Sequence, residues 1–341
     1  MLQLASDVTY AWAPPMADGR APVYMTPGYQ SMLAANDRTT PRVLACRSAE
    51  ATTFLPMLVR ELENGAKEAY SAYGYGGLFG NLDLSPADVD GLTRHLAEDG
   101  IVALFIRHSP FLANQQAWPS PLVKLNRRTY AVDLRPEDTF DACLARAPQK
   151  IRWAANFALR AGLRVTFHPL ATCPAETIGA FHEQYHALMT EKETSDYYLF
   201  SKAFFMDHAA RLGDACELAE LTDAQGQFLG GAFFLKDGMG WAHYHLSAVR
   251  RDAMKLQGME ILIQSAIHRY GQQGLHALHL GGGHALDESD GLSRFKSKFA
   301  TRTLDFCCST LVCDEDGYRR ARAAQPLANP SFFLISDARG H

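Results

Sequence analysis

The feature that most constrains the fold lies near the C-terminus, where a short apolar run ends in three glycines. The run is Leu278-His279-Leu280-Gly281-Gly282-Gly283, and a polar loop leads from it to Gly291-Leu292-Ser293-Arg294-Phe295-Lys296-Ser297-Lys298-Phe299. Such a run predicts a buried strand, and the glycines at its end allow a ligand or another backbone to approach closely. The basic and aromatic cluster would suit a cleft for an anionic, partly planar ligand. The alternative is a β-bulge followed by an amphipathic turn.

The elements predicted around this strand have a mixed α/β order. Helices are predicted over 139–161, 175–190, 202–211 and 255–270, and strands over 163–167, 216–223, 228–236, 240–249 and 275–280. The first half repeats this order more roughly, with strands over 42–47, 54–59, 101–106 and 130–134 and a helix over 83–99. Ser85 and Pro86 have the residue types of a helix N-cap and first helical position. We therefore predict two α/β domains, residues 1–138 and residues 139–341.

Composition excludes some classes of function and leaves others open. The chain has 341 residues and a formal net charge of -4, so it has no global signature of nucleic-acid binding. No apolar run approaches the roughly 18 residues of a membrane span, and the N-terminus lacks the pattern of a secretory signal. Seven cysteines without C-x-x-C spacing indicate reduced thiols. We expect a cytoplasmic protein, and the oligomeric state stays open.

Three separated segments resemble a known family. They are Pro148-Gln149-Lys150-Ile151-Arg152, Lys255-Leu256-Gln257-Gly258, and the glycine and basic-aromatic segment described above. With the element order, they make the chain similar to the Fem-type (FemAB/FemX-like) transferases, which are tandem GNAT acyltransferases. The resemblance implies two GNAT-like domains, each a mixed, mostly antiparallel sheet flanked by helices. The first would be degenerate, and the second would be the acyltransferase domain.

The resemblance also implies an activity. The protein would transfer an acyl or aminoacyl group to a primary amine of a polar acceptor, such as an amino sugar or a cell-envelope precursor in polysaccharide biosynthesis. Acyl-CoA or aminoacyl-tRNA would be the co-substrate, with no tightly bound cofactor and no metal. Lys255, Gln257 and Gly258 stand where the GNAT phosphate loop would be. Glu260 replaces a small residue there, and its charge weakens the case for CoA because a carboxylate repels a pyrophosphate.

Two alternatives to this activity remain open. One is aminoacyl-tRNA-dependent transfer to a peptidoglycan stem peptide, for which Lys150, Arg152, Arg160 and Arg164 would supply a basic patch. The other is a catalytically inactive GNAT-like binding module.

The strand over 240–249 carries the candidate catalytic bases. Alternation places Trp241, His243, His245 and Ser247 on one face, and the equivalent GNAT strand lines the acyl-transfer cleft. A neutral imidazole could take the proton from an attacking ammonium, with His245 preferred to His243. The alternative is that these are half-buried residues of a solvated sheet face.

The family motif points to Lys296 as a third catalytic residue. A cation at this position could stabilise a developing oxyanion or hold a phosphate. Arg294 and Asp290 are weaker candidates for substrate binding.

A glycine-rich aromatic loop is the main candidate site of the first half. A flexible loop of this kind can stack on a sugar or nucleobase while its N–H groups contact polar substituents. We predict that it contacts the acceptor, and the alternative is a tight packing turn. The candidate residues are Tyr73, Tyr75, Gly76, Gly77 and Asn81.

An H-E-x-x-H motif also occurs, formed by His182, Glu183 and His186. Two histidines at this spacing on a helix can share a zinc ion. The extensions that would supply a third ligand are missing, so we expect an ordinary amphipathic helix and rank zinc proteolysis last.

Overall fold

The computed structural model describes residues 8–16, 19, 21–284, 286, 289–325 and 332–336. By its internal contacts the chain divides into two compact units. The first comprises residues 1–126 and 305–341, and the second comprises residues 127–304. The chain therefore leaves the first unit and returns to it after the second is complete.

The helices and strands were numbered in chain order. They are β1 (Thr9–Ala13), α1 (Pro27–Asp37), β2 (Thr40–Arg47), β3 (Thr52–Glu61), β4 (Lys67–Tyr70), α2 (Pro86–Glu98), β5 (Ile101–Arg107), β6 (Val123–Asp133), α3 (Phe140–Arg146), α4 (Gln149–Arg160), β7 (Arg164–Pro169), α5 (Ala175–Glu191), α6 (Lys202–Leu212), β8 (Cys216–Thr222), β9 (Phe228–Lys236), β10 (Trp241–Val249), α7 (Arg251–Lys255), α8 (Gly258–Gln272), β11 (Ala277–Gly282), α9 (Gly291–Ser297), β12 (Arg302–Val312) and α10 (Glu315–Ala324).

The sheet of the first unit has the order β1-β2-β3-β4-β5-β12. Adjacent strands in this sheet are antiparallel, except for β4 and β5, which are parallel to each other. Helix α2 begins with a capping box in which the Ser85 side chain accepts from the Asp88 N–H and the Asp88 side chain accepts from the Ser85 N–H. Its residues Leu92 and Leu96 join Leu104 of β5 in the core.

The sheet of the second unit has the order β6-β11-β10-β9-β8-β7, and only β10 and β11 are parallel. Helices cover both of its faces, as two neighbouring phenylalanines of β9 show. Phe234 lies 5.5 Å from Tyr270 of α8, between ring centroids, whereas Phe233 lies 4.7 Å from Phe181 of α5. Successive residues of a strand point to opposite faces, so α5 and α8 pack on opposite sides.

The fold class is confirmed: each unit is a mixed, mostly antiparallel sheet with flanking helices. The continuous strand predicted over 101–106 and the helix beginning at Pro86 are both present. The domain boundary at residues 138 and 139 stays a prediction. The compact units divide instead at residues 126 and 127, and residues 305–341 belong to the first of them.

Two predicted helices are each divided in the structure. The helix predicted over 139–161 consists of α3 and α4, because Pro148 disfavours helical geometry at Ala147, whose φ and ψ are -65° and 153°. The helix predicted over 255–270 begins at Gly258, since Lys255 ends α7 and Gln257 adopts a left-handed φ of 65°. Helix α1 and the C-terminal elements β12 and α10 were not predicted.

All seven cysteines are free. Among the described residues, no helix is both long enough and apolar enough to cross a membrane.

Candidate functional site

Strands β10 and β11 lie side by side for a short distance and then separate. Their pairing joins Trp241 to Ala277, Ala242 to Leu278 and His243 to His279. Beyond this point β10 continues along β9, and β11 continues along β6. The register of β10 shifts between Tyr244 and Leu246, and that of β11 shifts between His279 and Gly281. Because bulges bend the strands that carry them, these two irregularities accompany an opening in the sheet.

The Lys296 side chain lies at this opening. Lys296 is only 7% exposed, and its Nζ donates a hydrogen bond to the carbonyl oxygen of Gly282 over 2.7 Å. Nζ also lies 5.8 Å from the ring centroid of Tyr244. The pKa of Lys296 is lowered to about 7 chiefly by burial; the carboxylate of Asp290 opposes this shift, and the charge of Arg127 adds to it. The amine is therefore available in both protonation states near neutral pH.

The glycines at the end of β11 are explained by the contacts of Lys296 and of helix α9. Gly281 has a φ of 71°, and a Cβ there would lie 3.3 Å from Lys296 Nζ. A Cβ on Gly283 would collide with the hydroxyl of Ser293 and crowd the carboxylate of Asp290. The close approach predicted for the glycine run is therefore an approach of α9.

Asp290 and Arg294 have different environments on α9. Asp290 is the N-cap, where Oδ1 accepts from the N–H groups of Leu292 and Ser293 and Oδ2 accepts from the Ser293 hydroxyl. Arg294 is exposed. Asp290 thus fixes the helix that presents Lys296, and substrate binding by either residue stays a prediction.

His243 is fully buried and lies beside an aspartate. Its Nε2 is 3.1 Å from Oδ2 of Asp237, whose Oδ1 accepts from the N–H groups of Met239 and Trp241. The aspartate thereby orients the imidazole and closes the turn between β9 and β10. The His279 ring centroid is 5.8 Å from that of His243.

His245 occupies the bulge of β10. Its ring centroid lies 5.7 Å from that of the buried His208 on α6. Burial, with His208 and His243 nearby, lowers the pKa of His245 well below its ordinary value. Its imidazole is therefore neutral at physiological pH and a weak proton acceptor.

Tyr244 and Ser247 also lie at the site, and Tyr244 was not among the predicted site residues. The Tyr244 hydroxyl donates to the Ser247 hydroxyl. Simple alternation would separate these two residues, but the bulge at His245 adds a residue between them and brings both to the side that faces Lys296. The prediction that Ser247 shares the face of His243 is therefore wrong. Burial raises the pKa of Tyr244 to about 12, so its hydroxyl stays protonated.

The candidate phosphate loop precedes α8. Lys255 is exposed, and Gln257 holds the left-handed conformation from which the helix begins. Gly258 is needed for packing, because a Cβ there would lie 2.8 Å from Leu221 Cδ2 and 2.9 Å from the Ala253 carbonyl oxygen. Glu260 lies 3.9 Å from Lys298 Nζ, and this cation offsets part of the charge at the helix N-terminus.

The glycine-rich aromatic loop of the first unit is closely packed against its own surroundings. The ring of Tyr75 lies within 5.6 Å of the rings of Tyr24, Phe111 and Phe306, between centroids. A Cβ on Gly76 would lie 2.6 Å from Ser71 Oγ, and one on Gly77 would lie 2.8 Å from Asn114 Nδ2.

These contacts are those of a packing turn. Tyr73 is partly exposed and Asn81 is exposed, so both remain open to a ligand. Acceptor contact by this loop stays a prediction.

The H-E-x-x-H motif lies on α5, with ring centroids of His182 and His186 5.9 Å apart. His182 also packs 5.7 Å from the ring of Phe205. No group of three or more histidines, cysteines, aspartates or glutamates that could hold a metal ion occurs in the described part of the chain.

Comparison with known proteins agrees with this geometry. Residues 145–297 match the family model of the acetyltransferase (GNAT) domain. This segment is therefore similar to GNAT acetyltransferase domains. It contains strands β7 to β11 and helix α9, and hence both sides of the opening and Lys296. No curated protein matches the chain.

Solved structures extend the similarity beyond the GNAT domain. FemX is similar at 12% identity with a TM-score of 0.66, covering 89% of this chain and 95% of that one. L-PGS from Bacillus licheniformis is similar at 12% identity with a TM-score of 0.53, and the match covers 82% of this chain and 86% of that one. The C-terminal domain (DUF2156) of a putative lysylphosphatidylglycerol synthetase from Agrobacterium fabrum is similar at 14% identity with a TM-score of 0.51. This match covers 76% of this chain and 80% of that one. The chain thus has the Fem-type fold that its sequence resembles.

Proposed function

We propose that the protein transfers an acyl or aminoacyl group to a primary amine of a polar acceptor, such as an amino sugar or a cell-envelope precursor. The observation that carries this proposal is the position of Lys296. Its buried amine lies against Gly282 and Tyr244, where the strands of the GNAT domain separate.

The reaction needs a proton acceptor and a donor to the developing negative charge. The acceptor amine must lose a proton and attack the donor carbonyl, forming a C–N bond and a tetrahedral oxyanion. Collapse of this oxyanion releases the thiol or hydroxyl of the donor, which takes up a proton. Preorganised groups at the reacting carbonyl can supply much of the rate enhancement.

Lys296 matches the proton-transfer step better than His245 does. With a pKa of about 7, its neutral amine can accept a proton from the acceptor ammonium, and the resulting cation can stabilise the oxyanion. His245 has a pKa well below its ordinary value, so a proton on it would be held weakly. We therefore assign proton transfer to Lys296, since the His243–Asp237 pair lies on the face of β10 opposite Tyr244.

The donor would lie along the start of α8. First-turn N–H groups bind phosphates, and Lys255 and Gln257 border that turn. The pairing of Glu260 with Lys298 reduces the repulsion that a pyrophosphate would meet. This arrangement supports acyl-CoA as one donor.

The test replaces Lys296 by methionine, which has similar length and no charge. We expect transfer from acetyl-CoA to glucosamine, or from aminoacyl-tRNA to a lysine-containing stem peptide, to fall about 100-fold or more. Lys192→Met is the control, because Lys192 is exposed at the C-terminal end of α5 and has no assigned role in binding the donor or the acceptor. Full activity of the Lys296→Met protein would show that the site is wrong.

Aminoacyl-tRNA is a second candidate donor. Lys150, Arg152 and Arg160 are exposed on α4, and the same helix exposes 57% of Trp153, whose ring stacks on Phe157. Cations beside a stacked aromatic pair suit a nucleic acid, and such binding weakens steeply with salt. Salt-sensitive binding of tRNA would favour this donor over acyl-CoA. If neither donor supports transfer to any amine, the protein is a GNAT-like binding module.

A further inference from the structure

Arg127 lies beside the amine of the proposed transfer site, although it was not among the predicted site residues. It belongs to β6, is the first residue of the second unit, and lies outside the GNAT-like segment of residues 145–297. Its side chain is half-buried, and Nη1 donates a hydrogen bond to the carbonyl oxygen of Gly283 over 2.8 Å. Strand β6 pairs with β11 as far as Thr129 and Gly282, so this hydrogen bond follows directly after the end of the pairing.

Two basic side chains bind successive carbonyl groups at the end of β11. Lys296 Nζ donates to the carbonyl oxygen of Gly282 over 2.7 Å, and Arg127 Nη1 donates to that of Gly283. Glycine has the widest choice of backbone conformations, so a run of glycines needs such contacts to keep a single one. The bond from Arg127 therefore restricts the neighbouring peptide group, whose oxygen binds Lys296.

The middle glycine of the run is explained by the same arginine. A Cβ on Gly282 would lie 3.1 Å from Arg127 Cδ and 2.7 Å from the carbonyl oxygen of Arg128. The methylene stem of Arg127 thus lies against Gly282 while its guanidinium binds Gly283. A larger residue at position 282 would push the arginine away from this carbonyl.

The charged and titratable groups near the Lys296 amine come from four elements. Besides burial, which has the largest effect on the pKa of Lys296, Asp290 of α9 raises this pKa and Arg127 of β6 lowers it. Burial lowers the pKa of His279 on β11 well below its ordinary value, so this imidazole is neutral near pH 7. Tyr244 of β10 stays protonated, because burial raises its pKa to about 12. The charge of Arg127 therefore acts with burial to favour the neutral amine.

We propose that Arg127 is a positioning residue of the transfer reaction, because its guanidinium fixes the Gly282–Gly283 segment that holds the amine of Lys296. Held in this way, the amine keeps its place beside Tyr244, where β10 and β11 separate. The inference rests on the proposed function, in which Lys296 takes the proton from the acceptor amine. It adds a residue of β6 to a site otherwise built from β10, β11 and α9.

The first test replaces Arg127 by glutamine, which keeps an N–H donor for Gly283 but loses the charge. We expect transfer at pH 7 to fall about tenfold, because the shorter side chain holds the segment less firmly and a small displacement of a reacting group lowers the rate. The rising limb of the pH–rate profile, on which Lys296 loses its proton, should also move to higher pH, since a nearby cation is removed. Arg127→Lys keeps the charge and should restore this limb.

A titration without substrates separates this inference from the proposed function. In protein labelled with ¹³C at the lysine Cε atoms, the resonance of Lys296 is assigned by its absence from Lys296→Met. We expect its titration midpoint to move to higher pH in Arg127→Gln and to stay unchanged in Arg128→Gln. Arg128 is the matched control, because it is the exposed next residue of β6 and its side chain points to the other face of the strand.

Three outcomes would overturn the inference. They are an unchanged midpoint of Lys296 in Arg127→Gln, an equal movement of the midpoint in Arg128→Gln, and a loss of stability in Arg127→Gln without a fall in the transfer rate, which would indicate a purely structural arginine. Full activity of Lys296→Met together with a moved midpoint would instead overturn the proposed function, and with it the role in transfer, while the effect of Arg127 on the amine would remain.

Discussion

At the scale of single residues, the site depends on an amine that is kept out of water. Lysines are rarely buried without an ion-pair partner, so a sequence containing several lysines gives no means of choosing the buried one. The family motif singled out Lys296, and the structure explains its low pKa by burial. Tyr244 was missed because alternation assigns it to the opposite face from the two histidines, and the bulge at His245 leaves no clear sequence signal.

The contact between Gly281 and Lys296 can be tested with two glycines of matched conformation. Gly281→Ala and Gly274→Ala each place a Cβ at a positive φ, of 71° and 77° respectively, and each should lose about 1–2 kcal/mol of stability. Only at Gly281 would the Cβ also lie 3.3 Å from Lys296 Nζ. We expect a tenfold or greater fall in the transfer rate of Gly281→Ala alone, measured beside denaturant unfolding of both. Equal transfer rates of the Gly281→Ala and Gly274→Ala proteins would show that Gly281 has no role in the catalytic site.

The buried His208 predicts a loss of stability in mild acid. Burial lowers the pKa of its imidazole from 6.5 to about 4. The unfolded chain therefore binds a proton between these pH values and the folded chain does not, so stability present above pH 6.5 is lost as pH falls towards 4. The expected contribution is roughly 3 kcal/mol.

Denaturant unfolding at pH 7 and pH 4.5 measures this loss. His208→Gln should show a shallower dependence on pH than the unaltered protein, although it is less stable at pH 7. An unchanged dependence would assign the acid sensitivity to other groups, such as His279 and His245, whose pKa values burial also lowers.

At the scale of elements, sequence reasoning succeeded where local chemistry decides the structure. Ser85 and Pro86 mark the start of α2, and the continuous apolar run at 101–106 gives the buried strand β5. It failed at the break between α7 and α8, because Leu256 and Gln257 are compatible with a helix and the break is made by the left-handed Gln257. A side chain at position 258 would meet Leu221 and the carbonyl oxygen of Ala253, so tertiary packing requires the glycine that follows this break.

Glycine at position 257 should therefore stabilise the protein. Glutamine pays a steric cost at a φ of 65° that glycine avoids, so Gln257→Gly should raise the unfolding free energy by about 0.5–1 kcal/mol. Gln273→Gly is the comparison, since Gln273 ends the same helix with a φ of -76° and should lose stability. Thermal unfolding of the two variants measures this difference. If Gln257→Gly lowers the stability, the glutamine side chain must make a contact that compensates for the steric cost of its backbone conformation.

At the scale of the whole molecule, the resemblance predicted the fold class but not the path of the chain. Strand β12 pairs with β5 from Arg107–Cys308 to Ala103–Val312, although nearly 200 residues separate them in the sequence. Periodicity reports only local patterns, so nothing around residue 305 indicates a return to the first unit. A division into two consecutive domains, as predicted at residues 138 and 139, follows the order of the sequence. Such a division places β5 and β12 in different domains and so does not anticipate their pairing.

Fragments of the chain test which division corresponds to folding units. Residues 127–304 contain β7 to β11 and the part of β6 that pairs with β11, so this fragment should unfold cooperatively. Residues 139–341 lack β6, which pairs with β11 from Asp133–Ala277 to Thr129–Gly282. This fragment should therefore not unfold cooperatively. Circular dichroism and limited proteolysis provide the readout. Cooperative unfolding of residues 139–341 would support the boundary predicted from the sequence.

The split first unit has a consequence for synthesis on the ribosome. At about 5–20 residues per second, the roughly 180 residues between Asn126 and Asp305 take about 10–35 s to emerge. Throughout that interval the nascent N-terminal segment lacks β12, the strand that pairs with β5 and completes its sheet. We therefore expect an inverted order of folding, in which the segment made first is the last to become native.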